Sequence, residues 1–595
     1  MRESTSAASP RPADPITAVA TRSVAAVPWP ARLRLLRDHG LGFGNFLDRA
    51  RQVSPAHDRP FLFAQRFDTA GAETIEPLSL DDLVAVRTAY ASWYHAEGVR
   101  KGDPVGVYLG EGVDSFLHFL AISSLGAIPA LVNGRMAPAI AADYLGRIGA
   151  VGVIADRGRL TALVDSGALS DTVGFRQSSE DMEHHRGGDA HELPAVYPYP
   201  HGDDDPVMLC HTSGTTGPPK SAIFAHRQFF LGKRHRLWSF PAARRNRMLS
   251  ALPQSHSAGI SYLMTATLLG LPTLVMADNS GEAAHAAMRW FTPTIVVAFP
   301  QTYAELAAMD LDHAATADVH SWINTGDSAH EAHIKALIRH GRRPSRGGSK
   351  PGSRFVDGLG SSEMGMALFR KVSVPEREDY GRCVGTPISV VERAVVLDDD
   401  GRELGPGEAG RLGVRSPTRT PGYWNDSALT TKSSLSGYWL TGDVVLRDAK
   451  GRFFHLDRVP DVIHSARGPI YSLPMEEAIL AGCPDVVDCA VVAVRAPRPE
   501  DGQVPFATVK LRPGAPVPTD LRGLLNGALK RRGLDEVRGA VVAVDAADFP
   551  TGATGKVLKR ALRERFAEVL VPNGGEAPTD PGVAHADTSE KGDHD

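Results

Sequence analysis

The run Thr212-Ser213-Gly214-Thr215-Thr216-Gly217-Pro218-Pro219-Lys220 sets small hydroxyls, glycines and one lysine side by side. Glycine lets backbone N–H groups close on phosphate oxygens, the hydroxyls add short donors, and the lysine supplies a point charge. Together they describe a cradle for the phosphates of a nucleoside triphosphate. The spacing is not G-x-x-x-x-G-K-[ST], so the run is not a Walker loop. A plain surface turn does not need all of these residue types at once.

Three further segments place a charged group at the end of a glycine-containing run. Asp357-Gly358-Leu359-Gly360-Ser361-Ser362-Glu363 ends on a carboxylate, a hard oxygen donor suited to a divalent cation beside phosphates. Tyr438-Trp439-Leu440-Thr441-Gly442-Asp443 ends on another, which can accept from two vicinal hydroxyls. Pro550-Thr551-Gly552-Ala553-Thr554-Gly555-Lys556 ends on an ammonium. In content and order, the four segments resemble the signature motifs of the adenylate-forming superfamily: acyl-CoA synthetases, luciferases and peptide-synthetase adenylation domains. The likeness runs over about residues 30–570.

The resemblance implies a role for each position. Thr212, Ser213, Gly214, Thr215, Gly217 and Lys220 would hold the phosphates of ATP, and Glu363 with Thr216 would bind Mg²⁺. Asp443 would accept from the ribose hydroxyls, with Arg458 on the ribose and phosphate side. Lys556 would bridge the substrate carboxylate and the α-phosphate, where an ammonium offsets charge built up in the in-line step. Lys556, Glu363 and Thr216 are thus the expected catalytic residues. Ile323 to His330 resembles the family's adenine-side turn, bringing in Gly326 and Asp327, while Gly358, Leu359, Gly360 and Ser362 belong to the facing segment. Leu252 to Gly259 resembles the segment beside the substrate tunnel, which makes His256 and Gly259 pocket candidates.

What the resemblance implies is an ATP- and Mg²⁺-dependent ligase that activates an acid as its acyl-adenylate, releases pyrophosphate and passes the acyl group to CoA. Several positions depart from the pattern. Leu359 replaces the usual adenine-stacking aromatic, and Asp457 the usual glycine before Arg458. Pro460 occupies the hinge about which the C-terminal domain rotates between half-reactions. Proline fixes φ near −65° and restrains the residue before it, so rotation through this bond is hindered. The loop Ser465 to Tyr471 also carries its glycine one place late, followed by Pro469. CoA as acceptor is therefore open. The alternatives are an amine, or nitrite in place of the acid as in the diazotase branch, where ATP is used to convert an aryl amine to a diazo group. A catalytically dead homologue has no reason to keep Lys220, Glu363, Asp443 and Lys556 together.

The elements that must position these groups are readable as an α/β pattern. Apolar runs such as Asp103–Leu109, Val151–Ala155 and Thr294–Phe299 read as buried strands; Ser115–Leu125 and Pro138–Ile148 carry helical periodicity. From Val390 to Val414, short β runs between Asp/Gly turns indicate a β subdomain. Beyond Arg458 the pattern is α+β: strands Cys489–Val494, Phe506–Leu511 and Val541–Val544, with a helix Leu521–Arg532. The expected organisation is a disordered leader (1–30), an α/β adenylation body (31–457), a small mobile lid domain carrying Lys556 (458–570) and a disordered tail (571–595). The basic segment Arg342–Arg354 reads as a flexible surface loop.

Composition narrows the classes further. The 595 residues, 42% hydrophobic and 23% charged, suffice for more than one core, and a net charge of −4 gives no basic field for nucleic acid. Cys210, Cys383, Cys483 and Cys489 lack metal-site spacing and read as ordinary thiols. Ser257–Ala277 is interrupted by Gly259, Gly270 and Pro272, so it reads as a buried helix and short strand rather than a membrane span. The partners expected are a small acid or oxyanion and its acceptor, with no fused carrier domain, in the cytoplasm.

Overall fold

In the computed structural model, the residues described are 27–571 except 69, 187–191, 213–218, 242–244, 378–380, 546 and 553–554. The expected leader and tail fall almost wholly outside them.

Apolar runs that bury both faces become parallel strands. A six-stranded sheet runs in the order Phe175–Ser178, Gly152–Ala155, Pro104–Leu109, Ile128–Asn133, Pro206–Thr212, Lys220–Ala225; all neighbours are parallel except the last pair. The three middle strands Gly152–Ala155, Pro104–Leu109 and Ile128–Asn133 are buried along their whole length, as sheets covered by helices on both sides require. The connecting helices have the expected punctuation. Pro138–Ile148 starts on Pro138 and stops at Gly149 in the left-handed region (φ 68°). Leu80–Ala96 opens on a capping box between Ser79 and Asp82.

A second, fourteen-stranded sheet begins with Glu73–Leu78 and Leu62–Phe67 and continues through Thr273–Val275, Met248–Ala251, Ile295–Ala298, Ser321–Asn324 and Arg354–Asp357. It then turns antiparallel through Phe369–Ser373, Cys383–Pro387, Phe453–Arg458, Tyr438–Arg447, Ala409–Arg415 and Arg393–Leu397, with the short strand Ser434–Leu435 also paired to Tyr438–Arg447. The latter strands are the β-rich region expected from Val390 onward. One large core, including Phe116, Leu131, Phe229, Leu263 and Phe453, spans both sheets.

After Arg458 the chain leaves the large sheet. A hairpin, Ile463–Ser465 with Gly468–Ile470, leads into the helix Ser472–Gly482 and a three-stranded sheet of Val486–Arg495, Gln503–Leu511 and Gly539–Val542. This unit has its own core around Ile479, Val491, Val509 and Leu525. The body and the smaller unit match the expected mixed α/β class.

Three sequence expectations need correction. Arg342–Arg354 is not an open loop: Arg342–Ser345 pairs with Gly348–Pro351 as a hairpin. Arg343 is buried and bonds Pro351 and Gly352 carbonyls, so part of the positive charge goes to holding the hairpin. The last strand lies two residues earlier than read, at Gly539–Val542, because Gly539 pairs with Phe506 and Val544 is left exposed. The loop Ser465–Tyr471 is largely taken up by the second strand of the hairpin at the start of the small unit.

Candidate active site

The strands Pro206–Thr212 and Lys220–Ala225 bring the two ends of the hydroxyl-glycine run together, with Thr212 opposite Lys220. Ser213, Gly214, Thr215, Thr216 and Gly217 lie outside the described residues. Lys220 places its ammonium 5.9 Å from the centre of the Tyr423 ring. Tyr423 in turn donates to Glu363 Oε1 at 2.8 Å, and the main-chain oxygen of Glu363 accepts from Thr420 N–H. Burial and the Glu363 carboxylate raise the Tyr423 phenol, which therefore stays a donor. Lys220 and Glu363, far apart in sequence, thus meet through Tyr423, which the motifs did not point to. Ser362 and Glu363 sit in one 3₁₀ turn (Ser362–Met364) after the short strand that holds Gly360. Gly358 admits no side chain, since a Cβ there would lie 2.2 Å from the Phe369 carbonyl oxygen. Leu359 is buried in the large core, 4% exposed.

Asp443 and Arg458 are opposite one another on neighbouring strands. Asp443 is 2% exposed, with Oδ1 3.3 Å from Arg458 Nε and 3.4 Å from His455 Nε2. Burial would raise its carboxyl, but Arg458 and His455 outweigh that and hold it below the ordinary value. Neither Asp443 Oδ1 nor Arg458 Nε has a hydrogen bond of proper geometry. Buried groups of this kind cost free energy unless a partner is supplied, and the vicinal hydroxyls of a ribose are partners of the right kind for the carboxylate.

Lys556 comes from the small unit and enters the body. Its Nζ lies 3.2 Å from Asp327 Oδ2, at the turn after the strand Ser321–Asn324. Gly326 precedes it with φ 92°, a conformation suited to glycine, and an added Cβ would stand 2.8 Å from the Phe299 ring. Phe299 meets the His256 ring edge-on, with centroids 5.1 Å apart. His256 caps the helix Ser257–Leu269 by accepting from Ala258 N–H on Nδ1. Burial, His211 and Lys556 push its imidazole down to about 3, so it is neutral at physiological pH with its proton on Nε2. Gly259 lies under the same turn; a Cβ there would be 2.4 Å from the Pro253 carbonyl oxygen.

The junction around Pro460, the expected hinge, is tied from both sides. Pro460 lies within the 3₁₀ turn Val459–Asp461. Asp457 Oδ2 accepts from both the N–H and the hydroxyl of Ser472, at 2.6 and 2.8 Å, which seats the first helix of the small unit against the last strand of the body. Asp461 pairs with Arg563, and Lys559 bonds Ser472 and Glu476. Across the same interface, Glu477 accepts from Glu331 N–H and pairs with His330 at 2.9 Å. Sequence reading gave Asp457 only as a departure and did not find Glu477 or His455.

The arrangement has an ammonium beside an aromatic wall, a carboxylate near the end of a phosphate run, and a buried carboxylate with an orphaned oxygen. These residues fit ATP with Mg²⁺, which would supply positive charge at the departing phosphates through the oxygen donor of Glu363. No group of three or more His, Cys, Asp or Glu residues among the described residues forms a self-contained metal site. No helix among them is long and apolar enough to cross a membrane.

Comparison with known proteins places this geometry in context. The model of the AMP-binding enzyme matches residues 50–424, and that of the AMP-binding enzyme C-terminal domain matches 476–556. A 3-aminoavenalumate diazotase from a Streptomyces species is 40% identical over 557 residues, covering 90% of this chain and 98% of the relative. A feruloyl-CoA synthase from an Amycolatopsis species is 29% identical over 483 residues, covering 80% and 91%. Among solved structures, the anthranilate CoA ligase AuaEII with anthranoyl-AMP superposes with a TM-score of 0.74 at 20% identity, over 88% of this chain and 97% of that one. O-succinylbenzoate CoA synthetase from Bacillus subtilis, solved with ATP and magnesium, gives 0.70 at 20% identity, over 87% and 99%. The likeness to these two structures is one of fold. With both parts of the chain matched, the protein belongs to the AMP-binding, adenylate-forming enzyme family, whose members are ATP- and Mg²⁺-dependent and form AMP.

Proposed function

We propose that this protein is an ATP-dependent diazotase: it adenylates nitrite, releasing pyrophosphate, and delivers the activated nitrogen to an aryl amine. The observation that carries the reading is the 40% identity to a 3-aminoavenalumate diazotase along 98% of that enzyme. A second diazotase, acting on 3-amino-2-hydroxy-4-methoxybenzoate and found in Streptomyces cremeus, is 26% identical over 499 residues. CoA-dependent relatives share the adenylation half, so the distinction lies in what is activated and what accepts it. Support from the geometry comes from the hinge, where Pro460 and the Asp457–Ser472 bonds favour one domain orientation, the one with Lys556 inside the site. A transfer to CoA needs the other orientation; a small amine next to the adenylate does not. Within this reading, Lys556 faces the oxyanion, Asp443 and Arg458 hold the ribose, Lys220 and the preceding run hold phosphates, and His256 with Phe299 forms the aromatic wall.

The test is to incubate the purified protein with MgATP, nitrite and a panel of aminobenzoates and aminocinnamates, and to trap diazonium by azo coupling while AMP is measured. Nitrite-dependent AMP and a coupled dye are expected. AMP with an acyl-CoA, formed from an acid and CoA without nitrite, would instead make it a thioester-forming synthetase.

A further inference from the structure

The ion pair at Lys556 raises a question of charge. Lys556 is the ammonium that faces the activated oxyanion, yet Asp327 Oδ2 already lies 3.2 Å from it. Asp327 is held in place: Oδ1 accepts from Ser328 N–H at 2.8 Å and its main-chain oxygen accepts from Asn324 Nδ2 at 2.5 Å. Burial would raise its carboxyl, but Lys556, His455 and Arg382 outweigh that and keep it well below the usual carboxylate range. Arg458 adds a further positive charge nearby. The side chain is therefore an anion. An oxyanion bound at Lys556 puts a second negative charge beside it, and like charges so placed repel unless a positive or donating group intervenes.

The neighbouring surface fits such a group. Asp327 follows Gly326, whose missing side chain lets Phe299 lie against this turn, and Phe299 meets neutral His256 edge-on. The charge of Lys556 also acts on His256, so the aromatic pair and the Lys556–Asp327 ion pair share one corner of the site. A ring packed there presents a substituent to Asp327, and an amino group has the N–H donors that a carboxylate accepts.

Resting on the diazotase reading, we infer that Asp327 is the acceptor-amine site: its carboxylate binds the amino group of an aryl amine whose ring packs on Phe299 and His256, while Lys556 turns to the activated nitrite. Charges then alternate along the site, from carboxylate to amine donor and from oxyanion to ammonium. The amine nitrogen attacks the nitrogen of the nitrosyl adenylate; an N–N bond forms, the bond from that nitrogen to the phosphate oxygen breaks, and AMP leaves with the electron pair. The adduct's N–H proton passes to Asp327, giving the N-nitrosamine. Its tautomer, the diazohydroxide, takes the proton back on oxygen and loses water to give the diazonium ion. A nitrosated ammonium nitrogen is strongly acidic, so even a carboxylate of low basicity accepts its proton.

The test compares Asp327→Asn and Asp327→Ala with the wild type in two assays: nitrite-dependent ATP–pyrophosphate exchange, and diazonium formation with varied aryl amine. The expected result is a fall of about 10²-fold or more in kcat/KM for the amine, at least about ten times larger than any fall in exchange, with added formate restoring transfer in Asp327→Ala. Equal losses in both assays would overturn the inference by making Asp327 a positioning residue for Lys556. An unchanged kcat/KM for the amine would also overturn it, while leaving the diazotase reading intact. A wild type that shows neither nitrite-dependent exchange nor diazonium would remove the parent reading, and the inference with it.

Discussion

Lys556 illustrates how much one residue's meaning depends on where it is delivered. An ammonium near the end of a chain is commonly a solvated surface group, but here it is carried into the body to within 3.2 Å of Asp327. In its proposed role Lys556 faces the developing phosphorane, and on that role Lys556→Ala is expected to lower adenylation by about 10²–10³-fold, the scale of losing one stabilising donor at such a centre. The fold should survive, because Lys556 belongs to none of the hydrophobic clusters. Exchange kinetics with a thermal melt of the same variant check both parts. Near-wild-type exchange would sink the role assigned to the lysine. Asp443 makes the complementary point: its motif gave the residue, while the orphaned Oδ1 and its setting between Arg458 and His455 could be read only from paired strands.

Among the elements, the segment from Phe453 to Gly482 governs how the two domains are joined. The strand Phe453–Arg458 ends in the body, the 3₁₀ turn Val459–Asp461 contains Pro460, and Ser472–Gly482 starts the small unit. Pro460→Asp restores free rotation about φ at the hinge, and in the presence of CoA and an acid it should raise thioester formation above the wild-type background. The gain will be partial, because Asp457 still bonds Ser472 twice and Asp461 still pairs with Arg563. No gain at all, measured by mass spectrometry of the acyl-CoA, would count against Pro460 as the restraint. The proline was visible in the sequence as a departure from the family. The bonds of Asp457 were not, since their partner Ser472 lies beyond the turn and the hairpin. The hairpin in 342–354 was missed for a related reason: glycine, proline and arginine read locally as a loop, while the burial of Arg343 is set by contacts with Pro351, Gly352 and Glu376.

At the scale of the whole molecule, Lys556 reaches Asp327 across the junction of the body and the small unit. Glu477 of the small unit is the buried anion at that junction, accepting from Glu331 N–H and pairing with His330, with Arg382 at 3.8 Å. Burial would raise its carboxyl, but His330 and Arg382 bring it down to about 2 from an ordinary 4.5. A folded-state value below the unfolded one means that its stabilising effect is complete above 4.5 and is lost as pH falls from 4.5 towards 2. Glu477→Gln should therefore lower the thermal midpoint at neutral pH and flatten its decline across that acid range, as followed by calorimetry. An acid limb as steep as the wild type's would place the titrating groups elsewhere.

The sequence alone determined the family, the order of the motifs and the α/β class. Those properties are local: they follow from residue types at short spacing and from hydrophobic period. The tertiary structure alone decided which charges face one another. Asp327 with Lys556, Glu363 with Tyr423, Asp443 with Arg458 and His455, and Glu477 with His330 come from separate strands, helices and domains. Coulomb and hydrogen-bond energies depend on separation in space and on burial, neither of which is encoded at short range in the chain. Only folding fixes both, and with them which carboxylate stands beside Lys556.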